Sequence, residues 1–159
     1  RDAVRAVLGR PPLADAEADR GALVEAYRAI AAGMHARSLD DPLARLAPGF
    51  VHHGLDPRAP GGVRVTSRAA FVAGMATLPD ALDSLLAFTI DVTDVQVRGD
   101  SAVVRYREHM DARWKPRQAG AAAIRDSSTS WWADRWVRTP AGWRAVRFEE
   151  VAPPAAPRR

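Results

Sequence analysis

The chain has 159 residues, and 47% of them are hydrophobic, which is enough to bury the core of one folded unit. Its 23 basic and 19 acidic residues give a net charge of +4 and are scattered along the chain, so there is no basic block typical of nucleic-acid binding. The absence of cysteine excludes disulfides, thiolate catalysis and Cys-ligated zinc.

The first part of the chain has helical spacing. Residues 1–14 are expected to form an N-terminal arm with a short helix from Asp2 to Gly9. Over residues 15–37, apolar side chains recur at steps of three and four, which predicts a long amphipathic helix that packs on a flat surface. Its apolar face carries Leu23, Tyr27, Ile30 and Met34.

Shorter elements are predicted between this helix and the middle of the chain. Residues 38–46 favour a short helix, residues 50–53 a brief strand, and the Gly- and Pro-rich residues 54–65 a loop. Thr66 or Ser67 then caps a third helix. That helix is expected to carry Phe71, Met75 and Leu78 and to end before Pro79.

From Phe88 onward the hydrophobic period is two, which predicts antiparallel strands. One hairpin pairs residues 86–97 with 102–114, and a second pairs residues 127–138 with 143–151. Residues 115–126 are expected to be a longer loop, and the tail 152–159 is expected to be disordered. Helices followed by an antiparallel meander indicate an α+β fold with the helices on one face of the sheet.

The order and spacing of these segments resemble the nuclear transport factor 2-like superfamily, especially its SnoaL-like branch. The similarity covers residues 22–151 and is carried by three segments: Glu25-Ala26-Tyr27-Arg28; residues 46–53; and Trp132-Ala133-Asp134-Arg135-Trp136-Val137-Arg138 with Gly142-Trp143-Arg144. It implies that residues 15–151 form a cone-shaped barrel, in which a curved antiparallel sheet wraps around the long helix and leaves one cavity. The superfamily contains isomerases, cyclases, dehydratases and non-catalytic members, so the fold alone does not select a reaction.

The ketosteroid isomerases of this superfamily give the sharpest comparison. The resemblance places their two oxyanion-hole residues on Tyr27 and Asp134, and their general base on Gly54, which has no side chain. His52 lies two residues before Gly54 and so on the same strand face, where an imidazole can transfer a proton near neutral pH. Burial of Asp134 beside Trp132 and Trp136 would raise the pKa of its carboxyl group.

Several of these side chains have structural alternatives. Tyr27 either lines a pocket or is a packed core ring, and Asp134 either faces the pocket or pairs with an arginine such as Arg105 or Arg135. His52 and His53 must face opposite sides of their strand. Strand alternation also places Glu108 among hydrophobic neighbours, either as a pocket residue or as the partner of an inward Arg or His.

The sequence therefore predicts a pocket for a small, largely apolar organic ligand. If the protein is an enzyme, we expect cofactor-independent isomerisation, cyclisation or dehydration, with His52 as the acid or base and Tyr27 with Asp134 stabilising an oxyanion. The alternative is a non-catalytic ligand-binding or protein-interaction module that forms a homodimer through its sheet face. No cofactor, metal or nucleic-acid partner is expected. The other expected pocket residues are Phe50, Phe71, Met75, Tyr106, Glu108, Trp132 and Trp136.

The compartment is predicted from the absence of targeting features. No segment has the roughly 20 apolar residues of a membrane span, so no membrane partner is expected, and the first residues lack the apolar core of a signal peptide. The cytoplasm is the expected location. Because the chain begins with Arg1, export after removal of a leader is the alternative.

Overall fold

The computed structural model describes residues 13–116, 118 and 120–155. The helix predicted from Asp2 to Gly9 and the last four residues of the tail lie outside the described residues. Residues 152–155 have no regular secondary structure. The helices are α1 Leu13–Ala36, α2 Asp40–Ala44 and α3 Arg68–Ala81, and the strands are β1 Leu46–Leu55, β2 Val63–Ser67, β3 Leu82–Arg98, β4 Ser101–Trp114, β5 Ile124–Thr139 and β6 Gly142–Val151.

The six strands form one curved sheet in the order β2-β1-β6-β5-β4-β3. The strand β1 runs parallel to β6, and all other neighbours are antiparallel. The α+β class is confirmed, with helices packed on the sheet. The curved sheet does not close into a complete barrel, because β2 and β3 are its two edges.

The apolar stripe of α1 packs against the inner face of the sheet. Leu23, Ala26 and Tyr27 are at most 1% exposed. Strand residues with matching alternation complete this core, so one helix face and one sheet face exclude water together. The main strand contributions are Leu46, Phe50, Val104, Tyr106, Trp136 and Ala145. Within the described part of the chain, no helix combines the length and apolar character needed to cross a membrane.

A buried carboxylate fixes α1 to the hairpin formed by β5 and β6. Asp19 forms an ion pair with Arg138. Its other oxygen, Oδ1, accepts a hydrogen bond of 3.2 Å from Trp143 Nε1. The Arg138 guanidinium also lies 4.9 Å from the centre of the Trp143 ring, in the geometry of a cation–π contact.

The region between α1 and β3 contains more strand than the sequence predicts. The second helix ends at Ala44, and Leu46 already belongs to β1, which pairs with β6. The end of the predicted loop is the strand β2, in which Thr66 pairs with His52. Ser67 caps α3 by accepting a hydrogen bond from the backbone N–H of Ala70.

Two further element boundaries differ from those predicted from the sequence. The helix α3 continues through Pro79 to Ala81, because a proline in the last turn removes only one backbone hydrogen bond. The strand β3 follows at Leu82. The predicted loop 115–126 is shorter, since β5 begins at Ile124 and pairs with Trp114.

One extra residue in β6 changes which side chains face α1. Trp136 pairs with Ala145, whereas the preceding Arg135 pairs with Arg147, so Val146 forms a β-bulge. Ala145 is buried on the inner face. After the bulge the even-numbered residues continue that face, namely Phe148 and Glu150.

Candidate functional site

The sheet brings the predicted site residues together on its inner face. Tyr106, Trp132 and Glu150 are consecutive partners across β4, β5 and β6. In the next inward-facing row of the sheet, Val104 of β4 pairs with Asp134 of β5, and Phe148 of β6 pairs with His52 of β1. Side chains at these positions point to the same side of the sheet as α1.

Tyr27 and Asp134 contact each other directly. The Tyr27 hydroxyl donates to Asp134 Oδ2 at 2.9 Å and accepts from Trp136 Nε1 at 2.9 Å. The other carboxyl oxygen accepts a backbone N–H of β6 at 3.2 Å. Burial raises the pKa of Asp134 well above its usual value, against the lowering effect of its hydrogen bonds, and therefore favours the neutral carboxylic acid.

This pair lies in the core rather than at an open surface. Tyr27 is 1% exposed and Asp134 is 0% exposed. Pairing of Asp134 with an arginine is wrong: Arg105 bonds instead to Asp94, and Arg135 lies beside Glu149. The Tyr27 hydroxyl bonds to Asp134 and Trp136, and the Asp134 carboxyl group bonds to Tyr27 and the backbone of β6.

Tyr106 connects the buried pair to the more accessible end of the site. Its ring centre is 4.7 Å from that of Tyr27 and 6.2 Å from that of Trp132, whose plane is nearly parallel. Burial, and then the Asp134 charge, raise the pKa of the Tyr106 hydroxyl. The aromatic contacts are therefore continuous from α1 to Trp132, which is only partly buried.

His52 lies among aromatic rings at this accessible end. Its ring stacks on Phe71 with centres 5.0 Å apart, and its centre is 5.6 Å from that of Trp132. Partial burial lowers the pKa of His52, although the Glu150 charge acts in the opposite direction. The environment consequently favours the neutral imidazole, which can accept a proton.

Glu150 is a site residue that the sequence analysis misses. Its Oε2 accepts the backbone N–H of Leu55 at 2.9 Å. A Cβ atom added to Gly54 would lie 3.8 Å from this oxygen and 3.2 Å from Cε1 of His52. A carboxylate from β6 therefore borders the space that the glycine leaves in β1. The inward position of Glu150 follows from the bulge at Val146, and the alternation of hydrophobic and polar residues does not show that bulge.

Glu108 faces inward, as its strand alternation predicts. Burial first, and the charge of Glu150 second, raise the pKa of Glu108 to about 7. Within the described residues neither glutamate forms an ion pair. Pairing of Glu108 with an inward Arg or His is thus not observed there, and two carboxyl groups face one apolar region.

The other predicted pocket residues divide between the core and the accessible end. Phe50 and Trp136 are 1% and 2% exposed. Phe71 and Trp132 are partly buried beside His52. Met75 packs against a second apolar cluster that is centred on Met34, Leu39 and Phe88. Phe148, absent from the predictions, lies 5.0 Å from Phe50 and 6.0 Å from Phe71 between ring centres.

Surface hollows mark where a ligand can approach. One of about 280 Å³ is bordered by His52 and Gly54 of β1 and by Arg64 and Thr66 of β2. A larger hollow of about 970 Å³ lies elsewhere, between Trp114 and Ile124, and contains none of the predicted site residues.

Comparison with known proteins identifies the fold. No family model matches the chain, and no curated protein matches it. The Kfla4162 protein from Kribbella flavida has a TM-score of 0.69 at 17% identity, covering 85% of this chain and 90% of that one. An NTF2-like family protein from Streptomyces avermitilis, provisionally described as a dehydratase, has a TM-score of 0.64 at 17% identity, covering 87% and 99%.

A third similar structure comes from Salmonella enterica. This protein of the nuclear transport factor 2-like superfamily has a TM-score of 0.62 at 16% identity, covering 89% of this chain and 96% of its own. The resemblance predicted from the sequence is therefore confirmed at the level of the fold. These identities do not transfer an activity.

Proposed function

We propose that the chain binds a small, largely apolar organic molecule in an aromatic cleft formed by His52, Phe71, Trp132 and Phe148, and that it catalyses cofactor-independent proton transfer there. The observation that carries this proposal is the imidazole of His52, stacked on Phe71 and close to Trp132. Partly exposed aromatic rings bind planar apolar molecules, and a few fixed polar groups orient them. Isomerisation, cyclisation and dehydration all need such proton transfer.

In this proposal His52 gives or takes the proton, and Tyr27 with Asp134 stabilises negative charge on a ligand oxygen. A phenol and a neutral carboxylic acid can both donate hydrogen bonds to such an oxygen. Because the two groups now bond to each other, an arriving oxygen would have to replace that bond. Tyr106 lies between Trp132, a wall of the cleft, and this pair.

Binding and catalysis have separate tests. Native mass spectrometry of the purified protein should detect a bound small molecule, and planar ligands should quench the fluorescence of Trp132. Trp132→Phe should remove most of that quenching, whereas Trp131→Phe, on the neighbouring and opposite-facing position, should keep it. With a substrate identified, His52→Ala and Tyr27→Phe should each lower kcat. Wild-type turnover in both variants would discard these catalytic assignments.

A non-catalytic homodimer is the second candidate, favoured by exposed apolar side chains on the outer face of β1 and β2. Leu55, Val63 and Val65 are 46%, 36% and 61% exposed, and they share that face. Pairing with a second copy would cover them and the free edge of β2. Light scattering of the purified protein should then give twice the chain mass, and Val65→Lys should return it to the monomer value.

A further inference from the structure

We propose that the ligand of the aromatic cleft carries a carboxylate group on its planar, apolar body, and that Arg68, the first residue of α3, binds this group. The inference rests on the proposed function, because the cleft must first bind a small apolar molecule. It adds an anion-binding residue and a chemical class of ligand to that function, and it leaves the proton-transfer role of His52 unchanged.

The first observation is an unused hydrogen-bond donor on Arg68. Its Nε atom is buried and has no hydrogen-bond partner, and no other buried side-chain nitrogen or oxygen atom in the described residues is in this condition. None of the ion pairs in that part of the chain includes Arg68. A buried donor without a partner costs about 1–3 kcal/mol, so an acceptor supplied by a ligand would bind there favourably.

The second observation is the position of Arg68 beside the cleft. It lies one helical turn before Phe71, whose ring stacks on His52, so the two residues share one face of α3. Side chains of a helix tilt toward its N-terminus. The guanidinium group is therefore directed from the wall of the cleft toward the end of β2, where Thr66 pairs with His52.

The third observation is the balance of charge around the hollow of about 280 Å³. Arg58 and Arg64 both border it, but only Arg64 forms an ion pair within the described residues, with Asp56. The carboxylate of Glu150, which is also unpaired there, accepts a hydrogen bond from the backbone of β1 at the same hollow. Two unpaired guanidinium groups, on Arg58 and Arg68, thus face one unpaired carboxylate, and this region favours a ligand with a single negative charge.

The geometry of the guanidinium group selects a carboxylate. In an arginine, Nε and one terminal nitrogen form a planar fork whose two N–H groups match the two oxygens of a carboxylate. A ligand held in this way would satisfy the buried Nε of Arg68. A phosphate ester would bring a second negative charge close to Glu150, which would repel it. The expected class is therefore an aromatic carboxylate, with its ring in the cleft and its charged group at the mouth.

Naphthoate and naphthamide are suitable probes, because they share one planar ring system and differ in the charge of a single group. Isothermal titration calorimetry near neutral pH measures the affinity of the wild type for each. Naphthoate should bind about 10-fold or more tightly than naphthamide, since a hydrogen bond to a charged group is stronger than one to a neutral group.

Variants of Arg68 test whether this residue is the source of the preference. Arg68→Met keeps an apolar stem, so it should abolish the preference for naphthoate and change the affinity for naphthamide by less than about twofold. Arg68→Lys keeps the charge without the planar fork and should restore only part of the preference. Arg28→Met is the control, because it removes one positive charge from an exposed pair with Glu25, and both affinities should stay unchanged.

The outcomes separate the two proposals. The ratio of the two affinities within one protein does not depend on the folded fraction, so a less stable variant still gives a result. If neither probe binds the wild type, the proposed function fails, and the anion site fails with it. If naphthamide binds as tightly as naphthoate, the cleft stands and the anion site is refuted. A preference for naphthoate that survives in Arg68→Met would show that Arg68 only covers apolar surface.

Discussion

The Tyr27 hydroxyl and the Asp134 carboxyl group are separated by 107 positions in the sequence and by 2.9 Å in the fold. Their hydrogen bond joins α1 to β5 inside the core. A polar atom left without a partner in such a place costs about 1–3 kcal/mol. The pair therefore helps to fix one rotation of the helix on the sheet, because other rotations would leave the Tyr27 hydroxyl and Asp134 Oδ2 without this bond.

Removal of the Tyr27 hydroxyl should destabilise the protein. Tyr27→Phe leaves Asp134 Oδ2 without its donor and Trp136 Nε1 without its acceptor, so we expect the free energy of unfolding to fall by about 1–3 kcal/mol. Urea denaturation measures this change. Trp136→Phe should cost less in the Tyr27→Phe background than in the wild type, and additive losses would show that the two bonds are independent.

Glu108 should make stability depend on pH. Its pKa is raised from 4.5 to about 7 in the folded state, so the unfolded chain releases this proton first as the pH rises. The free energy of unfolding should then fall between those two values, by at most about 3 kcal/mol, and level off above them. Denaturation across this range should show a smaller decline for Glu108→Gln. Asp91→Asn, exposed beside Arg107, is the control and should follow the wild type.

Two glycines of α1 should respond to alanine in opposite directions. Nothing lies within 4 Å of a Cβ at Gly21, so Gly21→Ala should stabilise the protein by about 0.5–1 kcal/mol through its helix propensity. A Cβ at Gly33 would lie 2.5 Å from the backbone oxygen of Ser38, so Gly33→Ala should destabilise it. Thermal unfolding compares the two, and a shift of the same sign in both would contradict this assignment.

The two acidic partners of Arg138 should contribute differently to the stability of the fold. Asp19, whose side chain is 8% exposed, also accepts from Trp143 Nε1, so Asp19→Ala should cost about 1–3 kcal/mol. Asp100 is 87% exposed, and Asp100→Ala should change stability by less than about 0.5 kcal/mol. If chemical denaturation shows equal losses of stability for the two variants, the burial of Asp19 does not increase its contribution.

The parts of the site that the sequence predicts lie on regular strands. The strands β4 and β5 pair without a register shift, so simple alternation places Glu108, Trp132 and Asp134 on the inner face. The helical spacing likewise places Tyr27 on the buried face of α1. In these segments the local pattern and the tertiary contacts agree, and the pattern alone is sufficient.

The parts that the sequence misses depend on contacts between distant segments. The valines of β2 follow a Gly- and Pro-rich turn, and their strand is defined by pairing with β1. Glu150 and Phe148 are assigned to the wrong face by any strict period of two, because the bulge at Val146 shifts the alternation. A bulge of this kind leaves no mark in the order of hydrophobic and polar residues.

The bulge at Val146 also determines how the chain would tolerate a change in its length. Deletion of this single residue would remove the bulge and leave strict alternation in which Ala145, Phe148 and Glu150 still face α1. Deletion of Phe148 instead, with the bulge kept, would turn Glu149 inward and Glu150 outward. A one-residue gap at the bulge therefore preserves the inner face of β6, whereas the same gap after the bulge exchanges its inward acid.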